Sequence, residues 1–120
     1  MKYLLMIYAN QQTWAGFGAE DWAAAIAEQD AFNARFFGTG ELLGAYGLAD
    51  AETAKVVRVR QGAAAATDGP YLETKEYLAS SFLLDVESEQ RALEIAAEMP
   101  FAAFRGVEVW PVLHEAAPGT

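Results

Sequence analysis

The segment TDGPYLETKEY, residues 67–77, holds the densest set of groups in this chain able to move protons or hold an anion. If it runs extended, Tyr71, Glu73, Lys75 and Tyr77 point to one side and Leu72, Thr74, Glu76 and Leu78 to the other, because side chains alternate along a strand. An acid, an ammonium and two phenols on one wall suit a small oxygenated or aromatic anion. Lys75 would pair with the anion, Tyr71 and Tyr77 would line or bond it, and Glu73 would exchange a proton once burial raised its pKa. Asp68 is the second candidate base, and Arg58 a second cation for the anion. The competing account is architectural. Pro70 fixes its own φ and directs Gly69 into extended geometry, while Asp68 bonds backbone N–H groups of the turn. That explains Asp68, Gly69 and Pro70 as a corner, and Glu73 with Lys75 as an ordinary exposed ion pair, but it explains Glu73 through Glu76 less fully.

Other residues offer less. Arg58 and Arg60 share a strand face, where arginines commonly solvate an edge. His114 beside Glu115 reads as a solvated pair near the end of the sequence rather than a general base. Trp14 and Trp110 are suited to a pocket wall, though tryptophan most often marks core or interface. The GFG at residues 16–18 is followed by AED, lacks a third glycine and does not make a dinucleotide fingerprint. With one histidine, no cysteine and no ligand spacing among the carboxylates, no metal site or cofactor is expected. Seventeen acids against eight bases give a net charge of −9, which argues against direct nucleic-acid binding. The apolar run after Lys2 is too short for a signal peptide or a membrane span. These features predict a cytoplasmic protein without membrane contact.

The elements that must position these groups follow from periodicity. KYLLMIY (residues 2–8) reads as a strand with two apolar faces, and both require cover. NQQTWAGFG reads as a loop. A helix is expected from about Glu20 to Phe37, with acids in its first turn, glycines after its last, and Trp22, Ala25, Ile26, Phe32, Phe36 and Phe37 on one stripe. Gln29 and Asn33, one turn apart on that stripe, are expected to bond each other or the sheet backbone. Extended segments follow at residues 41–47, 53–60 and 77–86. Between the last two, four consecutive alanines predict a long hairpin with a loose arm. A second helix spans about Ser88 to Met99, capped by Ser88, stopped at Pro100, and buried through Ala92, Leu93, Ile95, Ala96 and Met99. GVEVWPVL (residues 106–113) closes the set as a strand that Pro111 places at an edge, and residues 114–120 read as a frayed tail.

The order is β-α-β-β-β-α-β, which predicts a single domain over residues 1–120. Its expected class is α+β, a ferredoxin-like sandwich with a mostly antiparallel sheet and two helices on one face. Two helices cover one face of the sheet, yet the first strand is apolar on both. A homodimer packed sheet against sheet resolves the conflict.

The succession MKYLLMIY, Trp14, GELLGAYGL, VVRVRQG, TDGPYLETKE, FLLDV, a helix ending at Pro100, and VEVWPV resembles the YCII-related family across the whole chain. It is most similar to the branch marked by an Asp-Gly-Pro-Phe motif. The resemblance implies a dimeric α+β barrel, in a superfamily that includes small isomerases, lyases and monooxygenases. It also implies a link to extracytoplasmic-function sigma factors. Departures from the family pattern are Tyr71 for phenylalanine, Ala79 and Ser80 for two glycines, Ser81 for an aromatic residue, and Trp110 for arginine. The histidine–aspartate dyad of the sister branch does not transfer, since His114 is the only histidine. Two functions remain open. One is a ligand-binding or regulatory module that takes a small anion or phenol and acts through a partner such as a sigma factor. The other is a cofactor-free lyase or isomerase of a small oxygenated aromatic or acid, with Asp68 or Glu73 as base and Lys75 or Arg58 on the anion.

Overall fold

The computed structural model describes residues 1–69 and 76–118, the side chain of Gln11 apart. Strand β1 (Lys2–Ala9) is followed by a one-turn helix α1 (Gln11–Trp14) and a long helix α2 (Ala19–Thr39). Strands β2 (Leu42–Gly47), β3 (Lys55–Arg60), β4 (Ala63–Asp68) and β5 (Tyr77–Asp85) come next. Helices α3 (Glu89–Ala97) and α4 (Pro100–Phe104) and the edge strand β6 (Glu108–Pro111) complete the order. Four strands form one antiparallel sheet in the order β2-β5-β1-β6, the strand order of a ferredoxin-like α+β fold. No helix among the described residues is long and apolar enough to cross a membrane.

Alternation along β1 divides the sheet. Tyr3, Leu5, Ile7 and Ala9 are buried beneath the helices, and Leu42, Phe82 and Leu84 join them from neighbouring strands. From above come Phe32 and Phe36 of α2, and Ala92, Ile95 and Ala96 of α3, with Met99 just beyond it. Leu4, Met6 and Tyr8 point the other way and are half-buried. They share that open face with Tyr46, 57% exposed, and Trp110, 54% exposed. Tyr46 lies over Gly44, where an added Cβ would come within 2.5 Å of its hydroxyl oxygen.

Helix ends follow their sequence signals. Ser88 accepts a hydrogen bond from the Arg91 backbone N–H at 3.1 Å, and Gly40 ends α2 at φ +82°, whereas Gly38, also expected as a stop, lies inside the helix. Pro100 does more than stop α3: it occupies the first turn of α4, where its missing N–H costs nothing. The stretch expected as a loop after β1 instead begins with helix α1. Asn10 and Thr13 cap it reciprocally, with Thr13 N–H to Asn10 Oδ1 at 2.8 Å and Asn10 N–H to Thr13 Oγ1 at 3.0 Å.

A hairpin arm was expected here, and the largest departure is in how it is built. Among the described residues, Lys55–Arg60 does not join the main sheet and pairs with Ala63–Asp68 in a separate two-stranded ribbon. Gln61 and Gly62 turn the ribbon at φ 52° and 78°, the left-handed pair of a two-residue hairpin turn. The alanines are therefore strand in spite of their propensity, because the partner strand supplies the ladder. Gly69 also departs from expectation. It sits at φ +86° rather than in ordinary extended geometry, since a residue without Cβ can escape the pre-proline clash on the positive side.

Candidate functional site

The N-terminal half of α2 stands off the sheet and leaves a cavity of about 550 Å³. Its floor is Ile7 of β1 with Gly47, Ala79 and Ser80; its walls are Trp22, Ile26 and Gln29 of α2, Trp14 and Phe17, and Phe101 and Phe104 of α4. Helical spacing placed Trp22 and Ile26 on a buried stripe, but they are 41% and 57% exposed because this part of the stripe faces the cavity. Phe37, at the far end of α2, and Leu93 of α3 are likewise more exposed than their stripes suggest.

Three local devices build the walls. First, β5 carries one residue more than β1 at this point: Ile7 pairs with Ser80 and Tyr8 with Leu78, so Ala79 is bulged. A bulge breaks the strict alternation, which is how two consecutive residues, Ala79 and Ser80, both line the cavity. Second, α1 is fixed to the end of α4. Arg105 donates from Nη1 to Thr13 Oγ1 at 3.0 Å and from Nη2 to the Glu76 carboxylate. Third, the aromatic rings lock one another. Trp14 meets Phe17 edge-on at 5.6 Å, Trp22 at 5.2 Å and Phe101 at 6.0 Å, while Phe101 and Phe104 meet edge-on at 5.6 Å. Interlocked rings of this kind hold a wall in place better than isolated side chains do.

Among the described residues, polar groups on the lining are few. Gln29 donates from Nε2 to Asn33 Oδ1 at 2.9 Å, as the helical spacing anticipated. Its carbonyl oxygen and second amide hydrogen remain available for another partner. Ser80 adds a hydroxyl, and among the described residues Glu28 is the one ionisable group on the lining. A more open groove of about 520 Å³ shares Phe17, Ala25, Glu28 and Phe104 with the cavity and continues to Thr13 and Asp21. Among the described residues no group of three or more His, Cys, Asp or Glu is placed to hold a metal ion.

The residues singled out in the sequence lie elsewhere. Tyr71, Glu73 and Lys75 fall outside the described residues. Asp68 is at the base of the arm, exposed, and ion-paired with Lys55. Arg58 projects from the arm beside a shallow hollow of about 330 Å³ lined by Arg60 and alanines. Tyr77 is half-buried at the start of β5, beside a hollow of about 360 Å³ that includes Leu48 and Asp50. None of these three is on the aromatic cavity's lining. Trp14, considered as a pocket residue, is on that lining, and Trp110 is on the open face of the sheet. Reading the sequence missed Phe17, Trp22, Phe101 and Phe104 as a group. The available signal was their concentration in WAGFG and PFAAF, where aromatics alternate with residues too small to fill a core.

Electrostatic perturbation is found away from the cavity. The Arg91 guanidinium binds Glu41 through two hydrogen bonds, Nε to Oε2 at 2.7 Å and Nη2 to Oε1 at 2.9 Å. This pair holds the Glu41 carboxyl below the usual carboxylate range and raises Arg91 above its ordinary value. It joins the start of α3 to the start of β2, a structural role.

Comparison with known proteins gives three results. The model of the YCII-related domain matches residues 1–115. The uncharacterized protein R00369 of Rhizobium meliloti (strain 1021) is 25% identical over 99 residues, covering 82% of this chain and 80% of its own length. Among solved structures, 5-chloro-2-hydroxyhydroquinone dehydrochlorinase (TftG) from Burkholderia phenoliruptrix AC1100, in complex with 2,5-dihydroxybenzoquinone, superposes with a TM-score of 0.46 and 13% identity, over 96% of each chain.

Proposed function

We propose, from the premise that the chain belongs to the YCII-related domain family, that it is a ligand-binding module for a small, flat, mostly apolar molecule carrying an oxygen. The observation that supports this reading is the aromatic cavity of about 550 Å³, with Gln29 and Ser80 as its polar markers. Its volume lies in the range of small-molecule sites, which are apolar with a few placed hydrogen-bonding groups. A phenol or an aromatic acid matches such a lining: the rings take its faces, the Gln29 amide and the Ser80 hydroxyl take its oxygen. Among the described residues the lining offers hydrogen-bonding groups in Gln29 and Ser80 and a carboxylate in Glu28, which supports binding; Asp68 and Glu73 remain proposals for a base. The module works as a homodimer through the open sheet face, and it signals occupancy to a partner protein. The partner that the family resemblance suggests is an extracytoplasmic-function sigma factor.

Thermal melting against a panel of small phenols, quinols and aromatic acids tests the reading. A ligand at 100 times its Kd adds about 2.7 kcal/mol, a shift of several degrees for a domain of this size. Ser80→Leu, which fills the floor, is expected to abolish the shift. Lys75→Ala is the companion variant. A shift lost in Lys75→Ala as well brings residues 71–77 into the same site, and a shift kept there leaves the aromatic cavity as the site by itself. No shift in the wild type for any compound defeats the small-molecule reading.

A further inference from the structure

Among the described residues, the arm formed by β3 and β4 contributes none to the core, and its two faces differ. Val57 and Val59 stand opposite Ala66 and Ala64, so one face is an apolar strip with the Lys55–Asp68 ion pair at its base. The valines are 65% and 67% exposed. Arg58 and Arg60 lie on the other face. A two-stranded ribbon is marginally stable by itself in water, and stability requires that its apolar face be covered. Charge indicates by what. Residues 55–68 carry Lys55, Arg58 and Arg60 against Asp68, a net +2, so the remainder of a chain whose total is −9 carries −11. The molecule is a thin slab, 48 × 45 × 20 Å, with a basic arm on an acidic body.

We propose that the arm grips a second copy of this chain, with the valine strip on the partner's open sheet face and the arginines against its acidic body. A second copy meets both demands, since it offers a half-exposed apolar sheet face and a strongly negative surface, and two-fold pairing lets each arm meet the other body equivalently. The proposal rests on the homodimer stated above and adds the element that fastens it.

Sedimentation velocity over a concentration series, at low and high salt, tests it on the wild type, on Val57→Asp/Val59→Asp, on Arg60→Glu and on Trp110→Asp. The double variant is expected to weaken the dimer at least about tenfold, since like-charge burial and lost complementarity are both penalised. Arg60→Glu is expected to weaken it less and to flatten its salt dependence. If the double variant folds poorly, Arg60→Glu decides, because it changes only an exposed charge. A wild-type dimer weakened by Trp110→Asp but unmoved by both arm changes overturns the arm and leaves the homodimer standing. A wild type that stays monomeric at tens of micromolar overturns the homodimer itself.

Discussion

At the scale of single residues, the side chains that shape this molecule are not the ones with the most conspicuous chemistry. Glu41 shows how an ordinary carboxylate becomes structural. Because Arg91 lowers its pKa, the folded state favours the ionised form. The stability this contributes is complete above the unfolded carboxyl's value of about 4.3 and is lost as pH falls through the lowered folded value. Glu41→Gln is therefore expected to melt below the wild type at neutral pH, with the gap closing as pH falls toward 3; melting curves at pH 7, 5 and 3 check it, and a constant gap refutes it. Some of this scale was legible beforehand. The Gln29–Asn33 pair follows from a spacing of four on a helix. The cavity does not, because Trp14, Trp22 and Phe101 become neighbours only when three separate helices pack. Sequence spacing has no access to that distance. The segment that holds Glu73 and Lys75 is rich in charge, whereas the rings that line the cavity carry none.

At the scale of elements, strong periodic signals were readable and short elements were not. The long helix and the core strands declared themselves through alternation and through caps such as Ser88 and Gly40. Removing the Ser88 oxygen leaves the Arg91 backbone N–H without its partner, so Ser88→Ala is expected to cost about 1 kcal/mol. Chemical denaturation checks it, and an unchanged midpoint would mean that water replaces the cap. Helix α1 was hidden because one turn gives no period to detect, although Asn10 and Thr13 have the spacing of a capping box. Helix α4 was hidden because Pro100 reads equally as the end of one helix and the start of the next. In β4, four alanines argued against a strand, and pairing with β3 overrode that weak preference. The bulge at Ala79 belongs here too. A register slip of one residue reverses the facing of a strand, and sequence alternation across residues 77–85 gives no sign of where the slip occurs.

At the scale of the whole molecule, the radius of gyration is 16.7 Å, against roughly 13–14 Å for a compact chain of this length. The arm and the slab shape account for the excess, and both leave apolar surface that a second copy would cover. Trp110→Asp is expected to weaken association about tenfold by placing a charge on the sheet face that forms the proposed interface, with monomer melting at high dilution unchanged. A fall in monomer melting would instead assign Trp110 to the chain's own stability. The two-faced apolar character of β1 was the sequence feature that pointed to this surface, and it needed no knowledge of the arm.

The indoles of Trp14 and Trp22, 5.2 Å apart and inclined at 36°, have one further consequence. Chromophores this close share their excited states, so the pair should produce a coupled circular-dichroism band that neither ring would give alone. A molecule entering between α2 and the sheet would disturb that coupling directly. The protein thus contains its own label-free optical gauge of whether the cavity is filled.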